Sequence, residues 1–140
     1  MKTAKLIMIG VLLSAASLLR ADTTDSRFTT VGNTVVDAVT GLTWLLPGTV
    51  GVHPTVTYSQ AGAVCTSPWR LPTVEELSTL LDPRSSVAPL CDSHFTNMDY
   101  IFWTSTPYSN PSQNQWAISF DDGNISGDGD GAQARVICVQ

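Results

Sequence analysis

Three features of this sequence predict an α+β fold. Two capping-box patterns, Thr57-Tyr58-Ser59-Gln60 and Thr73-Val74-Glu75-Glu76, mark the starts of two short helices. Strand-like runs stand before and after this pair, grouped and not alternating with it. The run Gln115-Trp116-Ala117-Ile118-Ser119-Phe120 has period two, with Trp116, Ile118 and Phe120 on one face. The grouping predicts two short helices with a small antiparallel sheet and long irregular loops.

The chain has 140 residues, enough for one domain with a single core. It opens on Lys2 and Lys5. An apolar run follows from Leu6 to Leu19, with Ser14 and Ser17 as its polar breaks. Ala21 offers a small residue at a cleavage point. This is the layout of a secretory signal peptide, and the run is shorter than the ~20 residues a membrane span needs. The expectation is a signal over residues 1–21 and one exported domain over 22–140. That domain would be secreted or periplasmic in a bacterium, with no membrane span after cleavage.

In the mature part, Gly32-Asn33 reads as a hairpin turn between Thr29-Val31 and Thr34-Val36. Asp37 to Gly41 reads as a turn, and Leu42 to Leu46 as a strand with Trp44 inward. Pro47 to Pro54 is rich in Gly and Pro, and His53 within it reads as a solvated loop histidine. The first helix puts Tyr58, Ala61 and Cys65 on one face and ends near Pro68.

Trp69 to Leu77 reads as a strand end turning into the second helix. Pro72 is tolerated just ahead of a helix, Thr73 is a good N-cap, and Glu75 and Glu76 suit the positive end of the dipole. Val74, Leu77, Leu80 and Leu81 form one apolar face, and Asp82-Pro83 stops the helix. Alternation turns Arg70 away from Trp69 and Leu71, and its expected role is an ion pair with an acidic neighbour.

Asp82 to Tyr100 has no period and predicts a long connection, a kind of loop that is often functional. Ile101 to Ser105 is a strand, Pro107 to Gln113 a polar loop, and Asp121 to Asn124 a hairpin turn. Gly127 to Gly131 is an acidic glycine loop. Ala134 to Val139 predicts one final strand. Tryptophans 44, 69, 103 and 116 could stack on sugar rings, but their strand and pre-helix positions make three or four of them core, and Tyr108 is the better exposed aromatic candidate.

Loss of Lys2, Lys5 and Arg20 with the signal takes the net charge from −5 to −8 and leaves no lysine. Such a surface does not attract nucleic acid or anionic membrane through bulk charge. The cysteines are Cys65, Cys91 and Cys138. An odd count in an exported chain means one pair and a leftover, or pairing between chains. Their spacing fits no zinc motif.

Several motifs, in order, carry a resemblance to a known family. They are Asp37 with Thr40-Gly41-Leu42 and Trp44, Thr57-Tyr58 with Ala61 and Cys65, and Trp69-Arg70-Leu71-Pro72-Thr73 with Glu76-Leu77. Phe102-Trp103-Thr104-Ser105-Thr106-Pro107-Tyr108, Trp116-Ala117 with Phe120, and Arg135-Val136 with Cys138-Val139 complete the set. From about Phe28 to the C-terminus the chain resembles the Lcl C-terminal domain family, named for the end module of a bacterial collagen-like adhesin. The resemblance implies a C-type-lectin-like α+β fold and an exported protein, with adhesion and sulfated-polysaccharide binding among family members. It also implies a disulfide from the first helix to the last strand, at Cys65 and Cys138. This chain departs from the adhesive members in having few cations to meet a sulfated glycan.

The most metal-like segment starts at Asp122. Oxygen-bearing residues Asp122, Asn124 and Ser126 fall at positions one, three and five, and glycine at six, as in the start of an EF-hand-like loop. Asp128 and Asp130 add oxygens, which makes calcium the candidate ion. Position twelve is Gln133 where such a loop has a bidentate Glu. No Gly-x-Ser-x-Gly elbow occurs, and Cys91 is the one candidate for a cysteine-dependent enzyme. Tyr108, Asn110 and Asn114 are the candidate ligand contacts. The expected function is a non-catalytic exported module, able to oligomerise, that binds a glycan or protein on the cell surface or in the envelope. The alternative is a structural subunit of an envelope or appendage complex.

Overall fold

The computed structural model describes residues 27–47, 52–109, 115–129 and 131–140. The signal-peptide expectation lies outside these residues. The elements in order are strands β1 (Phe28–Val31), β2 (Thr34–Asp37), β3 (Thr43–Leu45) and β4 (Thr55–Thr57), then helices α1 (Tyr58–Val64) and α2 (Val74–Ser78). Strands β5 (Ile101–Pro107), β6 (Gln115–Ser119), β7 (Ile125–Asp128), β8 (Gln133–Arg135) and β9 (Cys138–Val139) follow. The fold is α+β, as the grouping predicted. It holds two sheets where one was expected, one ordered β1-β2-β3-β9 and the other β4-β8-β5-β6-β7.

Local chemistry sets most boundaries. Gly32 turns the β1–β2 hairpin at φ +60°, a left-handed conformation that costs glycine little. Both helices start at capping boxes: Thr73 and Glu76 exchange both backbone bonds, and at α1 Gln60 Oε1 accepts from Thr57 N–H at 3.2 Å. The second box satisfies two of the backbone donors that a helix start leaves free. The second helix is a single short segment, and Leu80 and Leu81 pack just beyond its end.

The expected final strand divides. Residues before Val136 pair with β4 and β5, and those after Ile137 pair with β3. The break lets one chain segment serve both sheets. Val136 N–H donates to Pro54 O at 3.1 Å, so the joint itself is hydrogen-bonded. One β8 pairing, with β5, is parallel, so the larger sheet is mixed.

The core lies on both faces of the larger sheet. Phe102, Ile118 and Phe120 pack with Leu77, Leu80, Trp44 and Val35 on one side. Trp103, Ala117 and Ala134 pack with Ala61 and Val136 on the other. Period two was therefore right for β6, but its second face is buried as well. Trp103 Nε1 donates to Val56 O at 2.9 Å, across β8. Ala134 stands between them, and its small side chain leaves the indole room.

The connection from Asp82 to Tyr100 is irregular, as expected, yet it is anchored. Phe95 and Met98 are fully sunk in the core. Phe95 meets Phe28 and Trp44 edge-on at 5.1 and 6.3 Å. Such contacts hold a long loop in one conformation without secondary structure.

Candidate functional site

The aromatic pair Tyr108–Trp116 stands at the far end of the β5–β6 hairpin. The rings meet edge-to-face with centroids 4.4 Å apart, and both side chains are half-buried. Three or four of the tryptophans were expected in the core: Trp44 and Trp103 are fully enclosed, while Trp69 and Trp116 are half-buried. Trp69 packs on the smaller core cluster. Trp116 lies opposite Gly127 on β7, where the partner strand offers no side chain to cover it. Strand period alone could not reveal this, because Trp116 shares its face with two buried residues but sits at the strand end.

The strands behind the pair are tied down. Thr104 is fully buried and its Oγ1 donates to Trp116 O at 2.8 Å. Thr106 Oγ1 accepts from Val74 N–H at 2.9 Å, which fixes the first turn of α2 against the end of β5. Arg70 forms a two-pronged pair with Glu76, both contacts 2.7 Å, so its expected structural role is the one it has. That pairing first, and then the Thr73 N–H, hold the Glu76 carboxyl below its ordinary range against the opposing effect of burial. Of the sequence-derived ligand contacts, Tyr108 is in this cluster. Asn110 and Asn114 lie outside the described residues.

The calcium candidates do not form a curled loop. Asp122 and Asn124 make the hairpin turn, with Asn124 N–H donating to Asp122 Oδ1 at 3.0 Å. Ser126 and Asp128 belong to β7, which runs extended and pairs with β6. An EF-hand-like loop must bend so that positions one, three and five face one point. Here sheet pairing takes the backbone instead, and the Asp128 carboxylate accepts from Gly129 N–H at 3.0 Å. Asp130 lies outside the described residues. Among the described residues no three His, Cys, Asp or Glu side chains gather as a metal site.

Cys65 and Cys138 form the disulfide, with Cα atoms 5.6 Å apart. Cys65 is the C-cap of α1, one place beyond its last helical residue, where the sequence had placed it on the helix with the end near Pro68. Cys91 is the free thiol, half-buried, 4.0 Å from Phe95 O. Burial, then the charges of Asp92 and Asp82, push it up to about 11. A thiol held protonated is a poor nucleophile. Iodoacetamide at pH 8 should therefore modify Cys91 on the order of a hundredfold more slowly in the folded protein than after unfolding. Equal rates in the two states, read by mass spectrometry, would contradict this. His94 Nδ1 lies 2.6 Å from Asp92 Oδ1, an acid–imidazole pair beside that unreactive thiol.

His53 is the clearest departure from expectation. It is 3 % exposed, not solvated. Nδ1 lies 3.1 Å from Val136 O, the ring packs edge-on against Phe102, and Nε2 has no hydrogen-bond partner. Burial pulls it down to about 4, outweighing the Val136 and Thr96 backbone groups, so it is neutral at pH 7. A loop rich in Pro and Gly gives no periodicity to signal burial, which is why sequence reading missed it.

Among the described residues no helix is long and apolar enough to cross a membrane. Comparisons with curated proteins and with solved structures find no match. The family model of the Lcl C-terminal domain matches residues 33–140. That span runs from the first hairpin through both helices and the disulfide to the last residue. The chain belongs to the Lcl C-terminal domain family.

Proposed function

We propose that this protein is an exported, non-catalytic binding module with a C-type-lectin-like arrangement, and that it recognises a glycan through the Tyr108–Trp116 pair. The observation that carries the reading is that pair: two aromatic rings in contact at 4.4 Å, part-exposed, on a strand end fixed by α2. Aromatic side chains with one apolar face and one wet edge suit sugar rings, which also have apolar faces and polar rims. The four mature-chain arginines, at 27, 70, 84 and 135, are all ion-paired with carboxylates. With no lysine beyond the signal segment, this favours a neutral sugar over a sulfated one.

A glycan array probed with the mature domain tests the reading. Trp116→Ala and Tyr108→Ala should each weaken binding about tenfold or more. Tyr100→Ala, an exposed aromatic beneath Arg135, should leave it unchanged. A silent array together with a stable oligomer in light scattering would replace this reading with an assembly subunit of the envelope.

A further inference from the structure

A second concavity lies where the two sheets meet. Leu45, Leu46, Val52, His53, Val64 and Val136 line a recess of about 390 Å³. Its walls come from β3, α1 and the joint between β8 and β9, and Cys138 brings the disulfide into one of them. Pockets of roughly 300–1,000 Å³ hold small molecules, and an apolar void of 150 Å³ already takes benzene.

We propose that this recess is a binding site for a small, uncharged, apolar molecule. The described wall has little to offer a polar one: its unpartnered polar atom, His53 Nε2, is itself buried. Leu46 N–H is spent on Asn33 O at 2.9 Å and Val136 N–H on Pro54 O at 3.1 Å. Val136 O is engaged by His53 Nδ1, and Pro54 has no N–H to give. Among the described residues of the recess no charge stands ready for an ionic headgroup. His53 is neutral, and the nearby Arg135 is taken by Asn97 O at 2.6 Å and Asp99 Oδ1 at 3.0 Å.

A protein partner fits less well. Specific protein interfaces bury about 1,200 Å² or more, with a broad apolar centre. Among the described residues of the lining, the only strongly exposed large apolar side chain is Val52, at 53 %. The other exposed ones, Val31, Val39 and Val87, are not part of it. The recess therefore matches one molecule held from several sides. Walls drawn from both sheets and the disulfide keep it open in advance, which lowers the cost of ordering on binding.

Methyl NMR of the oxidised protein titrated with toluene decides the matter. Leu45, Leu46, Val64 and Val136 methyls should shift saturably, with Kd on the order of 10⁻⁴–10⁻³ M for a ligand of that size. Val64→Trp, which fills the recess from α1, should weaken binding at least tenfold. If that variant fails to fold, Leu46→Trp serves in its place. No saturation up to the solubility of toluene would overturn the proposal. So would equal shifts at Val31, Val39 and Val87, or glucose binding in the recess as tightly as toluene.

Discussion

Cys65→Ser should destabilise the oxidised protein by roughly 4 kcal/mol, the largest single effect expected in this chain. The bond closes a loop of 73 residues between the end of α1 and β9. Cross-linking such a loop removes much of the freedom of the unfolded chain, and the gain grows slowly with loop length. Its ends also belong to different parts of the fold. Cys65 follows the helix over the larger sheet, while Cys138 pairs with Leu45 in the smaller one. Domains of this size have only ~5–15 kcal/mol in total, so the variant should melt lower by about 10–20 °C. Cys138→Ser should match it, and the double variant should add little to either, because one bond is lost in each case. Cys91→Ser should cost less, since Cys91 is half-buried and unbridged. Peptide mapping without reduction, followed by thermal melts of all four variants, checks the set. A Cys91 link to either partner, or a double variant that loses twice the single loss, would refute it.

Much of this architecture was legible because the signals were local. Capping boxes name their own partners within four residues, and both helices begin where Thr57 and Thr73 said they would. Gly32 marked its hairpin for a similar reason. Arg70 was assigned to an ion pair with an acidic neighbour, and the neighbour is Glu76 in the first turn of α2. The disulfide came from the family resemblance, not from spacing, since three cysteines allow three pairings.

What was not legible depended on distant chain. The split of Ala134 to Val139 between two sheets is decided by β4 and β3, which lie far off in sequence. His53 is buried because Phe102 and Val136 come to it, and no pattern around it records that. The oxygen-rich run after Asp122 looked like an ion loop only while its pairing with β6 was unknown. Trp116 is half-open because its cross-strand neighbour is Gly127, which a single strand cannot reveal. The candidate site thus needed the structure for its main residue, although Tyr108 was visible from its loop position.

Asp37 is where the sequence offered a signal that its plain reading as a turn left unused. An Asp three residues before Thr40-Gly41 can hold its own turn through its side chain. In the structure Asp37 is fully buried and accepts from five donors. Arg27 reaches it at 3.0 and 2.8 Å, Val39 N–H at 2.9 Å, and Thr40 through N–H at 3.4 Å and Oγ1 at 2.8 Å. Arg27 also lies 4.5 Å above the Phe28 ring, so the pair closes the end of the first hairpin. Burial by itself would raise the Asp37 carboxyl. The hydrogen bonds from Arg27, Thr40 and Val39 win, and it falls from 3.8 to about 2.

The sign of the pH effect follows from that lowered value. A group more acidic in the folded state stabilises the fold above its unfolded pKa, and that contribution is lost as pH falls through the folded one. The window is therefore from about pH 4 down to about pH 2, and the contribution is about 2 kcal/mol. Asp37→Asn keeps the shape but removes the charge and turns an N–H towards the Arg27 guanidinium. At pH 7 it should cost about 3 kcal/mol, the scale for breaking a buried pair from one side. Other carboxylates titrate in the same range, so the quantity to follow is the difference between wild type and variant. Urea denaturation at several pH values should show that difference shrinking as pH drops from 4 to 2. A difference that stays constant across this window would mean that Asp37 titrates normally and that its hydrogen bonds to Arg27 do not stabilise the charged form.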